Sequence, residues 1–171
     1  NISNNKQWSS EEMNAGFTAL ARGASRKTIE ILYARENNLT KLTKEMFGSN
    51  RGGLEAIGLL DLAFNKISSV EALGKDVAFT QLYLDNNQIE SLPRDADGYF
   101  CGYDDVETFS VNFNKLTKVP NIFSASSIYT MNAVSFAGNA IGTALDGEIC
   151  EGESTGEYKG IKVKTLTLSM N

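Results

Sequence analysis

The side chains best equipped for chemistry in this sequence are two tyrosines, two aspartates and an arginine: Tyr33, Arg35, Asp61, Tyr83 and Asp85. Each stands one or three residues past Leu32, Leu60 or Leu82, so the five belong to one recurring place in the chain. Tyr and Arg combine a large contact area with a polar handle, and both are enriched in binding hot spots. Asp adds acceptors for donors on a partner. A set of this kind recognises and does not transform. Its most direct use is to hold a protein partner. A glycan is the second reading, with Tyr33 and Tyr83 as stacking platforms and Asp61 and Asp85 accepting sugar hydroxyls. Ordinary sheet chemistry also accommodates these residues, because Tyr favours strands and polar cross-strand pairs stabilise them.

The residues that would support catalysis or metal binding do not assemble. The chain has no histidine, so the commonest general base is missing. Cys101 and Cys150 are two where a zinc site needs about four ligands. Their strands are two repeats apart, roughly 10 Å against the roughly 7 Å a disulfide allows, unless long returns bring them together. Both read as small apolar fillers. Asp95-Ala96-Asp97-Gly98 resembles a calcium loop but misplaces Gly and Glu, since Gly98 is fourth and Glu107 thirteenth in the count from Asp95. Glu148, Glu151, Glu153 and Glu157 share the Gly-rich stretch 146–159, which reads as an exposed loop. An acid/base pair must be held rigidly, and such a loop does not do that. Gly52-Gly53 is followed by no Lys-Ser or Lys-Thr at phosphate-loop spacing. No metal, cofactor or enzymatic reaction is expected.

What must position Tyr33 and its companions is a repeat. The pattern is apolar, two of any kind, apolar, any, apolar, two of any kind, Asn, any, apolar. It fits Ile29-Leu32-Ala34-Asn37-Leu39, Ile57-Leu60-Leu62-Asn65-Ile67 and Phe79-Leu82-Leu84-Asn87-Ile89. It fits again at Val106-Phe109-Val111-Asn114-Leu116 and Met131-Val134-Phe136-Asn139-Ile141. A sixth copy, Val163-Leu166-Leu168-Asn171, stops on its Asn, and Ile2-Ser3-Asn4-Asn5 has the form of the tail of an earlier one. Self-similarity at such a period decides the architecture. The expectation is one solenoid segment over residues 1–171, about five full repeats with partial copies at both ends, excerpted from a longer protein.

Within each copy, alternation such as Leu82-Tyr83-Leu84 predicts a short strand with one buried face. Strands this short bury too little alone, so they stack in parallel over a shared core. Asn37, Asn65, Asn87, Asn114 and Asn139 follow where the chain turns away. An amide with two donors and an acceptor can satisfy backbone groups that the turn strands, so these five should form a structural ladder. The outward rows then run Tyr33, Asp61, Tyr83, Ser110, Ser135, Thr167 and Arg35, Ala63, Asp85, Asn112, Ala137, Ser169. The first three repeats gather the recognition chemistry within roughly 10 Å of solenoid, with Arg35 and Asp85 flanking a gap at Ala63. The last three are bland. A solenoid that serves only as a spacer for a neighbouring domain should be bland throughout.

The returns differ in length and should differ in structure. Ser9-Ser10-Glu11-Glu12 is a capping box, Trp8 and Met13 are placed as a hydrophobic staple, and a helix follows to about Ala24 with Phe17, Leu20 and Ala21 inward. Leu92-Pro93 and Val119-Pro120 turn the chain out of the strand layer. Composition sets the outer bounds: 42% hydrophobic residues suffice for a core, while a net charge of −5 lacks the footprint of a nucleic-acid binder. No apolar run reaches the roughly 20 residues of a membrane span.

These repeats resemble the leucine-rich-repeat family over the whole chain. The resemblance implies an α/β solenoid, a horseshoe with a parallel β-sheet on its concave face and mixed helical and extended convex returns. Leu62-Ala63-Phe64-Asn65-Lys66-Ile67, Phe100-Cys101-Gly102-Tyr103 and Val119-Pro120-Asn121-Ile122-Phe123 further resemble surface-exposed repeat proteins of Bacteroidetes. That resemblance implies an extracellular or outer-membrane location and a recognition role.

Overall fold

A computed structural model describes residues 1–23, 28–47, 53–73, 77–92, 106–118, 130–142 and 162–171. Among the described residues one helix, α1 (Ser10–Gly23), precedes six strands: β1 (Thr28–Tyr33), β2 (Ala56–Asp61), β3 (Ala78–Tyr83), β4 (Thr108–Ser110), β5 (Thr130–Ser135) and β6 (Lys162–Thr167). They form one parallel sheet in sequence order, β1 to β6, so the chain winds as a solenoid with an unclosed sheet. The Cys101 and Cys150 positions, Asp95–Asp97, the glutamates of 146–159 and both prolines lie outside the described residues.

The repeat template maps onto the core position by position. Leu32, Leu60, Leu82, Phe109 and Val134 are buried, as are Ala34, Leu62, Leu84, Val111 and Phe136, and then Leu39, Ile67, Ile89, Leu116 and Ile141. The first two apolar positions of each strand are three residues apart, which breaks strict alternation. Both face inward. At β5 the extra residue shows as a bulge in which Asn132 N and Ala133 N both donate to Glu107 O.

α1 begins as its sequence dictates. Ser9 N donates to Glu12 Oε2 at 2.7 Å and Glu12 N donates to Ser9 Oγ at 3.2 Å, the reciprocal capping box. The Ser9 backbone N–H, and after it the Ser9 hydroxyl, favour the carboxylate and hold the Glu12 pKa below its ordinary value. Met13, Phe17 and Ala21 form the buried stripe at four-residue spacing. Leu20, expected on that stripe, is instead 38% exposed, because the helix buries only the single row of Met13, Phe17 and Ala21. Trp8 is partly exposed and lies over Gly16, where an added Cβ would sit 3.6 Å from its Cζ3. Phe17, Phe47 and Phe79 relay the contact inward, with ring centres 5.8 Å and 6.4 Å apart. After β1, parallel bridges join Lys41 to Ser69 and Phe47 to Leu54.

The turns after β2, β3, β4 and β5 share one plan. Asn65 Nδ2 donates to Leu62 O in its own turn and to Ala34 O in the preceding one, both at 2.9 Å, while its Oδ1 accepts from Leu39 N at 3.1 Å. Asn87, Asn114 and Asn139 repeat this set, their Oδ1 atoms accepting from Ile67 N, Ile89 N and Leu116 N. Asn37 donates to Ala34 O and Ile2 O and accepts from Asn5 N. Asn171 donates to Leu168 O and Phe136 O in the same manner. Immediately before each of these residues the backbone turns left-handed, at Asn4, Glu36, Phe64, Asn86, Phe113, Gly138 and Met170.

Candidate functional site

Register places the first outward row as one line across the sheet: Tyr33 beside Asp61, Asp61 beside Tyr83, then Ser110, Ser135 and Thr167. The row is uneven in height. Tyr33 is 38% exposed and Tyr83 half-buried, whereas the shorter Asp61 between them is only 4% exposed. Asp61 is therefore a floor between two tyrosines. Its Oδ1 accepts from Ala63 N at 3.0 Å and its Oδ2 from Arg35 Nη1 at 3.0 Å.

Arg35 closes the gap expected at Ala63. Its guanidinium bonds Asp61 and lies 5.3 Å from the ring centre of Phe64, so it spans the buried Ala63 from one side to the other. Its backbone N–H is held by Ser3 Oγ at 3.1 Å. Arg35 is thus fixed at the backbone, by an ion pair and by a ring, while 43% of its side chain stays exposed. A guanidinium has five N–H donors, and Asp61 takes one of them. The others can meet a partner from a position already ordered.

Asp85 plays a different part. Its Oδ1 accepts from Ser110 Oγ and from Asn112 N, both at 2.6 Å. Asn112 continues the chain, its Oδ1 accepting from Ser135 Oγ at 2.6 Å and Ala137 N at 2.7 Å. The plain half of the face, from β3 to β5, is a polar network that satisfies itself. Asp85 joins the two halves, one oxygen in that network and its carboxylate beside Tyr83.

Tyr83 O–H donates to Gln81 Oε1 at 3.2 Å. Burial raises its pKa above the ordinary 10.0, and the Asp61 and Asp85 carboxylates and Tyr33 raise it further. A raised folded pKa favours the neutral phenol, so its stabilisation is complete below pH 10.0 and is lost as pH rises through the folded value. Asp85→Asn keeps the Oδ1 acceptor and removes the charge. It should move the Tyr83 midpoint down towards 10.0, read as phenolate absorbance in the difference between the parent and its Tyr83→Phe variant. An unmoved midpoint would show that Asp85 does not face the phenol.

Three neighbours were not singled out from sequence. Ile31, 50% exposed, and Leu59 occupy the adjacent row beside Gln81, and Phe64 lies under Arg35. The signal was present: Ile31 and Leu59 fall at outward positions, and Phe64 is a large apolar residue in a turn. Among the described residues no group of three His, Cys, Asp or Glu side chains could hold a metal, and no helix is long and apolar enough to cross a membrane.

The winding, the parallel sheet and the Asn ladder define a leucine-rich-repeat solenoid. No protein-family model matches the chain. Lumican of Gallus gallus is 33% identical over 100 residues, which is 57% of this chain and 27% of lumican. A fibromodulin sequence of Sus scrofa is 30% identical over 109 residues, 62% of this chain and 68% of that sequence. A solved leucine-rich repeat protein from Bacteroides thetaiotaomicron superposes with TM-score 0.72 at 37% identity, covering all of this chain and 20% of that one. Another from Bacteroides eggerthii gives 0.67 at 29% identity, covering 96% of this chain and 26% of that one. This chain belongs to the leucine-rich-repeat family. It spans under a third of the lumican it matches and about a fifth to a quarter of the two solved chains.

Proposed function

We propose that this chain is a non-catalytic binding module that holds a protein partner on the concave face of its sheet, at a bacterial cell surface. The observation that carries this reading is Arg35, fixed by Phe64 and by the Asp61 that lies between two tyrosines, and left with donors to spare. A side chain ordered before binding loses little freedom on contact, which is how a few residues come to dominate an interface. Ile31 and Leu59 add apolar area beside Tyr33. The membership of the leucine-rich-repeat family supports a scaffold role, and the Bacteroides chains support the bacterial setting.

The Tyr33→Ala, Tyr83→Ala double variant should keep its thermal unfolding midpoint within a few degrees and lose capture of surface proteins from bacterial extracts. A Ser135→Ala, Thr167→Ala variant on the plain half should capture as the parent does. Equal capture by the parent and the tyrosine variant would sink the proposal.

A further inference from the structure

The tripeptide Phe-Asn-Lys occurs twice, at Phe64-Asn65-Lys66 and Phe113-Asn114-Lys115, and in both copies the Asn is a ladder residue. Both copies lie on the row of turns beside the open sheet face. Phe64 and Phe113 are left-handed, at φ 57° and 52°, and are 46% and 48% exposed. One repeat, with Asn86 and Gln88 at the same places, separates them. Backbone bonds stack these turns: Phe64 N donates to Asp85 O, Asn86 N to Asn112 O, Gln88 N to Ile67 O and Lys115 N to Ile89 O, all at 2.8–2.9 Å. With neighbouring strands about 4.8 Å apart, the Phe-Lys pairs recur at about 10 Å.

A bulky side chain at positive φ costs of order 1 kcal/mol, and here the exposed ring regains little of that from the core. Asn86 shows what the fold alone requires at this position. Lys66 and Lys115 are exposed and form no ion pair among the described residues. Arg35 adds a third cation over Phe64. Of the acids flanking these turns, Glu36 is engaged by Lys6, Asp61 by Arg35, and Asp85 by Ser110 Oγ and Asn112 N, while Glu90 stands exposed two residues past Gln88. Unpaired lysines and exposed aromatic rings thus recur together along this edge in a chain of net charge −5.

We propose that the edge binds a linear acidic polysaccharide, with a sugar face on each Phe and one carboxylate or sulfate per disaccharide on each Lys. Single rings separated by a polar repeat do not make the contiguous apolar patch on which a protein helix or strand seats. A pyranose matches them, with an apolar face of C–H groups inside a rim of hydroxyls. An extended polysaccharide repeats that face and its acid at a constant interval, and the interval here is about one disaccharide. Solenoid and polymer share a one-dimensional period. The site lies off the Tyr33–Asp61–Tyr83 row but shares Phe64 and Arg35 with the protein-binding reading, and the tyrosine variant below separates the two.

Titration calorimetry with hyaluronan oligosaccharides of two, four and six sugars tests it. The tetrasaccharide reaches both Phe-Lys pairs and should bind at least tenfold tighter than the disaccharide. Phe64→Asn or Phe113→Asn should return it to the disaccharide's affinity; Asn already stands at position 86, so the turn tolerates it. Lys66→Gln with Lys115→Gln should flatten the dependence on salt. Tyr33→Ala with Tyr83→Ala should leave the affinity within twofold. Absence of binding at millimolar sugar, a tetrasaccharide no tighter than the disaccharide, or Phe→Asn variants that bind as the parent would each overturn the proposal. So would binding of polyuridylate in place of the sugars, which would assign the edge to single-stranded nucleic acid.

Discussion

Asn87→Asp is expected to destabilise the solenoid more than Asn87→Ala, although Asp is the closer match in shape. Asn87 Nδ2 donates to Leu62 O at 3.1 Å, Leu84 O at 3.0 Å and Asp85 O at 3.2 Å, and its Oδ1 accepts from Ile67 N at 3.0 Å. The carbonyls have second partners: Leu62 O keeps Asn65, Leu84 O keeps Asn114, and Asp85 O keeps Phe64 N. With Ala, the group left alone is Ile67 N, in a buried position. One unpaired buried N–H together with a small void should cost about 2–4 kcal/mol. With Asp, Ile67 N stays satisfied, but an unpaired carboxylate faces three carbonyl oxygens. That should cost about 3–5 kcal/mol at neutral pH.

The two variants separate cleanly by pH. A carboxyl beside carbonyls is favoured in its protonated form, so its folded pKa lies above its unfolded value. Its loss is then partly restored below the unfolded pKa and returns as pH rises through the folded one. Urea unfolding at neutral and mildly acid pH should show Asn87→Asp gaining on Asn87→Ala as pH falls. Parallel losses for both variants at every pH would mean that the ladder amides serve as packing and not as donors.

That ladder was legible in the sequence because it depends on spacing alone. An amide three residues past the last strand position meets the same stranded carbonyls in every copy, whatever else varies. The sheet register followed for the same reason, since Tyr33, Asp61 and Tyr83 hold one template position and therefore one height in the stack. Lateral reach across the repeats was not legible. Nothing in a one-dimensional pattern shows that Arg35 leans over Ala63 to Asp61, or that Asp85 bonds Ser110, because both depend on side-chain length and on which neighbour is small. Asp61 was read as an outward acid and is a buried one for this reason. Leu20 was misread because a helix can bury a row at four-residue spacing alone, and only the docked geometry shows how wide the buried stripe is. Phe64 and Phe113 were passed over because their place before each ladder Asn holds Glu, Phe, Asn, Phe, Gly and Met in turn, so its shared left-handed backbone shows in no common residue type.

Glycines divide in the same way, and two of them make the sharpest contrast. Gly53→Ala should cost about 2–4 kcal/mol, roughly 4–16 °C in melting temperature for a chain of this size. A Cβ there would stand 2.6 Å from Phe47 N, 2.7 Å from Met46 C and 2.9 Å from Met46 O. All three are backbone atoms, beside the bond from Leu54 N to Met46 O and the bridge that joins Phe47 to Leu54. No rotamer change relieves such an overlap, and Phe47 is the middle ring between Phe17 and Phe79. A shift at Gly53 therefore reaches α1 and the sheet together. Gly138 is crowded by the Phe113 ring, a side chain, and carries the left-handed φ of 64°. Gly138→Ala should lose about 1–3 kcal/mol, and Phe113→Asn should recover the part due to the ring while leaving the left-handed penalty. Phe47→Leu should recover nothing for Gly53→Ala, because the offending atoms remain. Thermal unfolding of the two double-variant cycles decides it: coupling at Gly138–Phe113 and additivity at Gly53–Phe47 are expected. Rescue at Gly53 by Phe47→Leu would place the conflict in the side chain and refute the backbone account.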